Sequence, residues 1–414
     1  MLDASHAFSI EGTRLRLDPR APGFYCDPYP AYAAIHAAGG LVHWEEGGMP
    51  LVASHPLVSA LLRDRRFGRI LPPDGTGTPD FSGKPAHVRH FYALEQRSLL
   101  SLEPPTHTRL RALVTRAFVS RAIERLAPRI EAVAHELIDG FAHRGEVELV
   151  EAFATPLPVR IIAELIGVES AAIPSLLDWS HRMVAMYQPH PSRETEDRAE
   201  AASRDFTAFL REEIAQKRAA PGTSLIHQLI AAETEAGKLT EDEMVSTLAL
   251  LLNAGHEATV HHLGNGVKAL LESGAQVDWS DEASREAAVE EALRFDTPLH
   301  LFTRIALMDL EFAPGWSLRR GDSVGLLLAA ANRDSAVYPQ PHRLEPTRPG
   351  PAHVSFGGGI HFCIGAPLAR LELGLAFRAL FTRLPGLRLV GVPRFRDTWH
   401  FHGLERLDLA FRPQ

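Results

Sequence analysis

The sequence predicts a mainly α-helical single domain with small β-sheets, on three observations. Helical periodicity dominates from Thr106 to about Glu290, and short β-rich runs broken by Gly and Pro follow it. No internal repeat, low-complexity linker or hinge divides the chain. Its 414 residues exceed the usual domain length of about 150, so the expected domain, spanning 1–414, is a large one.

The elements follow in chain order. Residues 20–35, rich in Pro and Tyr, lead into a short helix. LVHW (41–44) and PLVASH (50–55) flank Gly47-Gly48, a strong turn signal, and predict a hairpin. From 71 to 100 the pattern is irregular, opening on PPDGTGTPDFSGKP, and a loop of that length points to function or mobility. THTRLRALVTRAFV, RAIERLAPRIEAVAHELIDGFA and ESAAIPSLLDWSHRMVAMY then place apolar residues three or four apart, as helices do. Thr240 and Glu243 form a capping-box signature that opens a helix of about 30 residues, long for a globular protein. Its middle is almost wholly apolar, so it runs through the core. After a helix at 282–294, FTRIALMDLEF, WSLRRGDSVGLLLAAAN and RLVGV predict strands. A glycine-rich loop at 356–365 opens the last helix, APLARLELGLAFRALFTRL.

Composition narrows the class. With 45% hydrophobic and 23% charged residues, the chain is neither disordered nor collagenous. Two cysteines, Cys26 and Cys363, make no disulfide framework and predict a reducing, cytoplasmic setting. The net charge of −8 gives no general attraction to nucleic acid or anionic membrane. No leader pattern opens the sequence, and the longest apolar runs, near 248–255 and 324–331, fall short of the ~20 residues that span a bilayer. A soluble protein is expected.

The sharpest chemical feature is FGGGIHFCIGAPLAR, residues 356–370. Glycines at 359 and 365 let the backbone turn tightly and approach a flat ligand. Cys363 precedes a helix start, whose N–H groups and dipole favour a thiolate. A thiolate is what a soft metal or haem iron requires. An isolated cysteine is more commonly a small buried residue, and a structural zinc would need ligands this segment lacks.

The pattern around Cys363 resembles the haem-binding signature of the cytochrome P450 family, with matches at Phe356, Gly359, His361, Cys363 and Gly365, continued by LAR at 368–370. Three further segments resemble the family in the expected order. Glu291 and Arg294 match its E-x-x-R pair, with Arg343 in the position of the arginine that joins them, although Leu344 stands where Phe is usual. His107 and Arg111, four apart on one helix face, match residues that contact haem propionates, together with Arg304 and His361. Outside this context both pairs would read as solvated helix surface. The segment Ala254-Gly255-His256-Glu257-Ala258-Thr259 lies midway along the long helix and matches the family's oxygen-activating segment. Its small residues would equally permit close helix packing, but a carboxylate within an apolar helix calls for a task or a partner. The family commonly has an acid followed directly by threonine; here Ala258 follows Glu257. Thr259, one residue on, is rotated about 100° away.

The resemblance implies a P450-like fold with a long central helix and a Cys-ligand loop before the last long helix. It implies a bacterial-type, soluble haem-thiolate monooxygenase that inserts one oxygen atom from O2 into a hydrophobic small molecule. Cys363 would ligate the iron of haem b, and Glu257, Ala258 and Thr259 would form the altered proton-delivery segment. With no fused reductase or ferredoxin domain expected within 1–414, a separate ferredoxin and its reductase would bring electrons from NAD(P)H to a monomer. The arginines at 109, 116, 121, 125 and 129 would form a docking face for such an acidic partner, or simply a solvated face. The substrate pocket would draw on the 72–100 loop, Met183, Met186, Leu250, Ala254, Leu299, Leu301, Phe302 and Phe401, with His300, His400 and His402 as polar contacts. His256, His261 and His262 fit metal-ligand spacing poorly and read as core or solvated histidines. Two alternatives stand beside this reading: a haem-thiolate peroxygenase, which the missing threonine makes possible, and a non-catalytic haem-binding or sensing protein, against which the intact Glu257 argues.

Overall fold

The computed structural model describes residues 7–117, 123–188, 191–233 and 239–414. The chain forms two compact units, one of Met1–Gly68, Ile130–Thr155 and Ala258–Gln414, the other of Arg69–Arg129 and Pro156–Glu257.

The first unit carries the sheets. Leu15 and Leu17 are buried while Arg14 and Arg16 are exposed, the alternation of a strand with one face on the core. This strand, Arg14–Leu17, pairs antiparallel with Phe8–Glu11 and parallel with Leu41–Trp44. Leu41–Trp44 and Met49–Val52 make the hairpin that the glycine pair signals. Met49–Val52 then pairs with Ser323–Leu327, which pairs with Leu301–Ala306, and Phe67–Gly68 closes the seven-stranded sheet. Leu51 and Leu327 pack in one core cluster with Phe24, Tyr32 and Ile35, whereas Val52, Val324 and Leu326 pack in another with Val58 and Leu61. The last helix, Ala366–Arg383, begins with a proline in its first turn and buries Leu373, Phe377 and Leu380.

The second unit is helical. Within the 71–100 segment the structure corrects the sequence reading, because Ala86–Val88 and Arg89–Glu95 are helical. Val88, Phe91 and Leu94 fall three apart and are buried, a stripe masked by the Pro- and Gly-rich stretch before it. The first turn of Arg89–Glu95 is held by Glu200, which accepts from the backbone N–H of His90 (2.9 Å) and Phe91 (3.1 Å). Glu200 lies on the 27-residue helix Arg193–Ala219, whose N-cap Ser192 accepts from the Thr195 N–H at 3.2 Å.

The long helix, Glu241–Ser273, has 33 residues. Its capping box is reciprocal: Glu243 accepts from the Thr240 N–H (2.9 Å), and the Thr240 hydroxyl accepts from the Glu243 N–H (3.2 Å). Among the described residues, no helix is long and apolar enough to cross a membrane.

Candidate active site

The loop before the last helix presents its cysteine outward. Cys363 is exposed, and so are Ile360 and Phe362, at 40% and 42%. The backbone folds back on itself, with the Cys363 N–H donating to the Phe356 carbonyl at 3.0 Å. Gly359 adopts φ 67°, and a Cβ there would lie 2.4 Å from the Leu62 carbonyl oxygen, so only glycine fits. A Cβ on Gly365 would meet only the Cys363 Sγ, at 3.9 Å. Phe356 is buried beneath the loop, with the Arg370 guanidinium 4.6 Å from its ring centroid. An exposed cysteine in a loop that also exposes apolar Ile360 and Phe362, just before a helix, fits an iron porphyrin, which needs a soft axial ligand and an apolar seat.

Arg304 lies on the strand Leu301–Ala306 and is only 2% exposed. His361 ends the short turn Gly359–His361 of the same unit and is half-buried. In the second unit, His107 is 2% exposed and Arg111 half-buried, both on Thr106–Ala117. Burial of two arginine or histidine side chains in this way suits anionic counter-groups better than open water.

On the long helix, Ala254 is exposed although Leu251, Leu252 and Asn253 before it and His256 and Glu257 after it are buried. Ala258, one turn on, is half-buried, and Thr259 is buried. The uncovered patch is therefore centred on Ala254. Gly255 serves packing instead: a Cβ there would lie 2.8 Å from Ile162 Cγ1. Met183 and Leu250 line one small cavity with Tyr187 and Asn253, two residues the sequence reading missed. Met186 sits in the adjoining turn Ala185–Tyr187 and is half-buried.

A family model described as Cytochrome P450 matches residues 284–385. The chain is 35% identical to 6-deoxyerythronolide B hydroxylase of Saccharopolyspora erythraea over 381 residues, 90% of this chain and 92% of that protein. It is also 35% identical to the cytochrome P450 monooxygenase PikC of Streptomyces venezuelae over 401 residues, 94% of this chain and 92% of that one. The chain belongs to the cytochrome P450 family. Its structure resembles that of P450BioI in complex with an acyl carrier protein ligated to hexadec-9Z-enoic acid (TM-score 0.85, 32% identity, 94% of this chain and 100% of that one). It also resembles CalO2 (TM-score 0.86, 30% identity, 96% and 99%). The fold is mainly helical with small sheets, as in other P450s. The protein is a P450 monooxygenase, and the P450 cofactor is haem b with a cysteine thiolate on its iron.

The P450 ion-pair network differs in one arginine from the sequence expectation. Glu291 and Arg294 are 5% and 3% exposed, joined by two hydrogen bonds of 2.7 Å. The second guanidinium is that of Arg348, whose Nε donates to Glu291 Oε1 at 3.0 Å. Arg343 contributes only its carbonyl, which accepts from Arg294 (3.2 Å) and Arg348 (2.6 Å), while its side chain is exposed beside Gln340. The turn at 341–348 directs the later arginine inward.

Other expected residues divide. Leu299, Leu301, Phe302 and Phe401 are half-buried, and Leu299 and Phe401 form an isolated antiparallel bridge. His300 and His402 are both buried with ring centroids 4.7 Å apart, and burial pushes both imidazoles below their ordinary pKa. His262 is likewise buried and pushed down to about 3, with Nδ1 3.1 Å from the Ala258 carbonyl. Of the arginine face, Arg109 pairs with Glu243 and Arg129 with Glu164, whereas Arg121 lies outside the described residues.

Proposed function

We propose that this P450 oxygenates a hydrophobic small molecule, with Cys363 as the iron's axial ligand. The observation that carries the reading is the exposed Cys363, which follows the exposed Phe362 just before the last helix. When bound, the haem activates dioxygen, and the thiolate favours cleavage of the O–O bond. Arg304 and His361, in the unit that carries Cys363, would hold propionates. Met183, Leu250 and the exposed Ala254 supply apolar pocket surface, so substrate is bound by exclusion of water, with Asn253 as a polar neighbour. The named relatives include a hydroxylase of 6-deoxyerythronolide B, which makes a bulky hydrophobic substrate the first class to screen. Electrons come from a separate ferredoxin and its reductase.

Proton delivery runs through Glu257, a carboxylate only 7% exposed. Ala258 has no side-chain hydrogen-bonding group, so a substrate hydroxyl or an ordered water takes the place of threonine. The test is Ala258→Thr, read as product formed per NAD(P)H consumed with the substrate that shifts the iron's spin state. Unchanged or poorer coupling is expected; a large improvement would contradict substrate-assisted delivery. The peroxygenase reading is favoured by the same Ala258, and turnover with peroxide outpacing turnover with reduced partner proteins would select it.

A further inference from the structure

Two groups of side chains in the described structure bring two imidazoles and a carboxylate together. In Asp296–His300–His402 all three are buried and already engaged: His300 Nδ1 is 2.8 Å from the Tyr32 hydroxyl, and Asp296 accepts from the Tyr29 hydroxyl at 2.7 Å.

His181, His256 and Glu257 have the opposite character. Neighbouring residues on a helix point about 100° apart, so His256 and Glu257 converge only on something above the wedge between them. His181, from the helix Ile173–Val184, lies there. Its Nε2 is 3.7 Å from Glu257 Oε2, the His256 Nε2 is also 3.7 Å from that oxygen, and the three ligand atoms all fall within 4.8 Å of one another. Tetrahedral Zn²⁺ with bonds of about 2.0–2.1 Å holds its ligand atoms roughly 3.3–3.5 Å apart, a contraction within reach of small side-chain rotations. His256 Nδ1 is 2.7 Å from the Leu252 carbonyl, so that nitrogen carries the proton and Nε2 presents its lone pair. A backbone carbonyl fixing the far nitrogen is the usual support of a metal-binding imidazole. The His181 side chain is 47% exposed, which gives an ion a way in, whereas the His256 and Glu257 side chains are buried and preorganised.

We propose that His181, His256 and Glu257 form a binding site for a divalent metal of the Zn²⁺ class, with water completing the coordination. Two nitrogens and one carboxylate oxygen match Zn²⁺ in both charge and softness, and Mg²⁺ or Ca²⁺ would prefer an all-oxygen set. Occupation removes the carboxylate from proton traffic, a consequence that rests on the proposed role of Glu257. The site would make oxygenation sensitive to available zinc.

The experiment is calorimetric titration of Zn²⁺ into the haem-loaded protein at neutral pH, with the spectrum of the reduced carbon monoxide complex confirming each variant's fold. One ion per chain is expected, bound at least roughly tenfold more weakly by His181→Gln and by His256→Gln. His143→Gln, an exposed histidine elsewhere, should bind as the parent does. No saturable binding, or binding equal in parent and His181→Gln, would overturn the site. Product formation measured with Zn²⁺ present separates the two readings. Inhibition of the parent but not of His181→Gln supports both. One bound ion without inhibition upholds the site and overturns the role of Glu257 in proton delivery.

Discussion

Cys363 was legible because everything that marks it is contiguous: glycine, thiol and helix start occupy ten residues, 356–365. Arg348 was not, since its role depends on which arginine the turn at 341–348 aims inward, and Arg343 is as good a candidate by sequence. The two substitutions should therefore separate. Arg348→Ala removes a charged hydrogen bond from a buried carboxylate and should cost about 1.5–3 kcal/mol of stability. Arg343→Ala truncates an exposed side chain and should stay within about 0.5 kcal/mol. Denaturant unfolding of both variants decides the matter, and equal losses would contradict the assignment. His181 was hidden for a related reason. Nothing in its own segment marks it, and only the packing of Ile173–Val184 brings it to Glu257.

Among the elements, helices announced themselves by periodicity, and their ends by capping chemistry. The reciprocal pair Thr240 and Glu243 was readable from three-residue spacing alone, yet the structure adds Arg109, whose guanidinium binds the same Glu243 carboxylate. Thr240→Ala should cost about 1 kcal/mol, as loss of an N-cap does, measured by thermal unfolding. Thr240→Ser should restore most of it by keeping the hydroxyl. The helical stretch 86–95 escaped notice because its apolar stripe is short and follows a run of turn formers. The strands Phe8–Glu11 and Arg14–Leu17 are equally short, and four-residue strands give little periodicity to read until a sheet assembles them.

For the whole molecule, buried histidines set the response to acid. His262 is held at about 3 by burial, and His300 and His402 are depressed too, while in the unfolded chain each titrates near 6.5. The unfolded state thus binds more protons, and stability present above pH 6.5 falls as pH drops from there toward 3. Glu290 adds to the loss at the acid end: although burial opposes it, His353 and Arg370 hold its carboxyl at about 2, so its contribution fades between about 4.5 and 2. Replacing His262 with Leu should make the acid loss shallower by about 2 kcal/mol at pH 5, at 1.36 kcal/mol per pH unit. Melting temperatures from pH 8 to pH 4 would show it, and parallel profiles for parent and variant would contradict the buried, neutral imidazole. The chain alternates between its two compact units. Such alternation leaves no linker to read, since each unit is assembled from segments distant in sequence.

The central claim is that Cys363 ligates haem iron as a thiolate. Its most direct measurement is the absorption spectrum of the reduced protein with carbon monoxide. The parent and Cys26→Ser should both show the strongly red-shifted Soret band of thiolate haem, and Cys363→Ser should lack it. A parent without that band, or a Cys363→Ser variant that keeps it, would contradict the assignment.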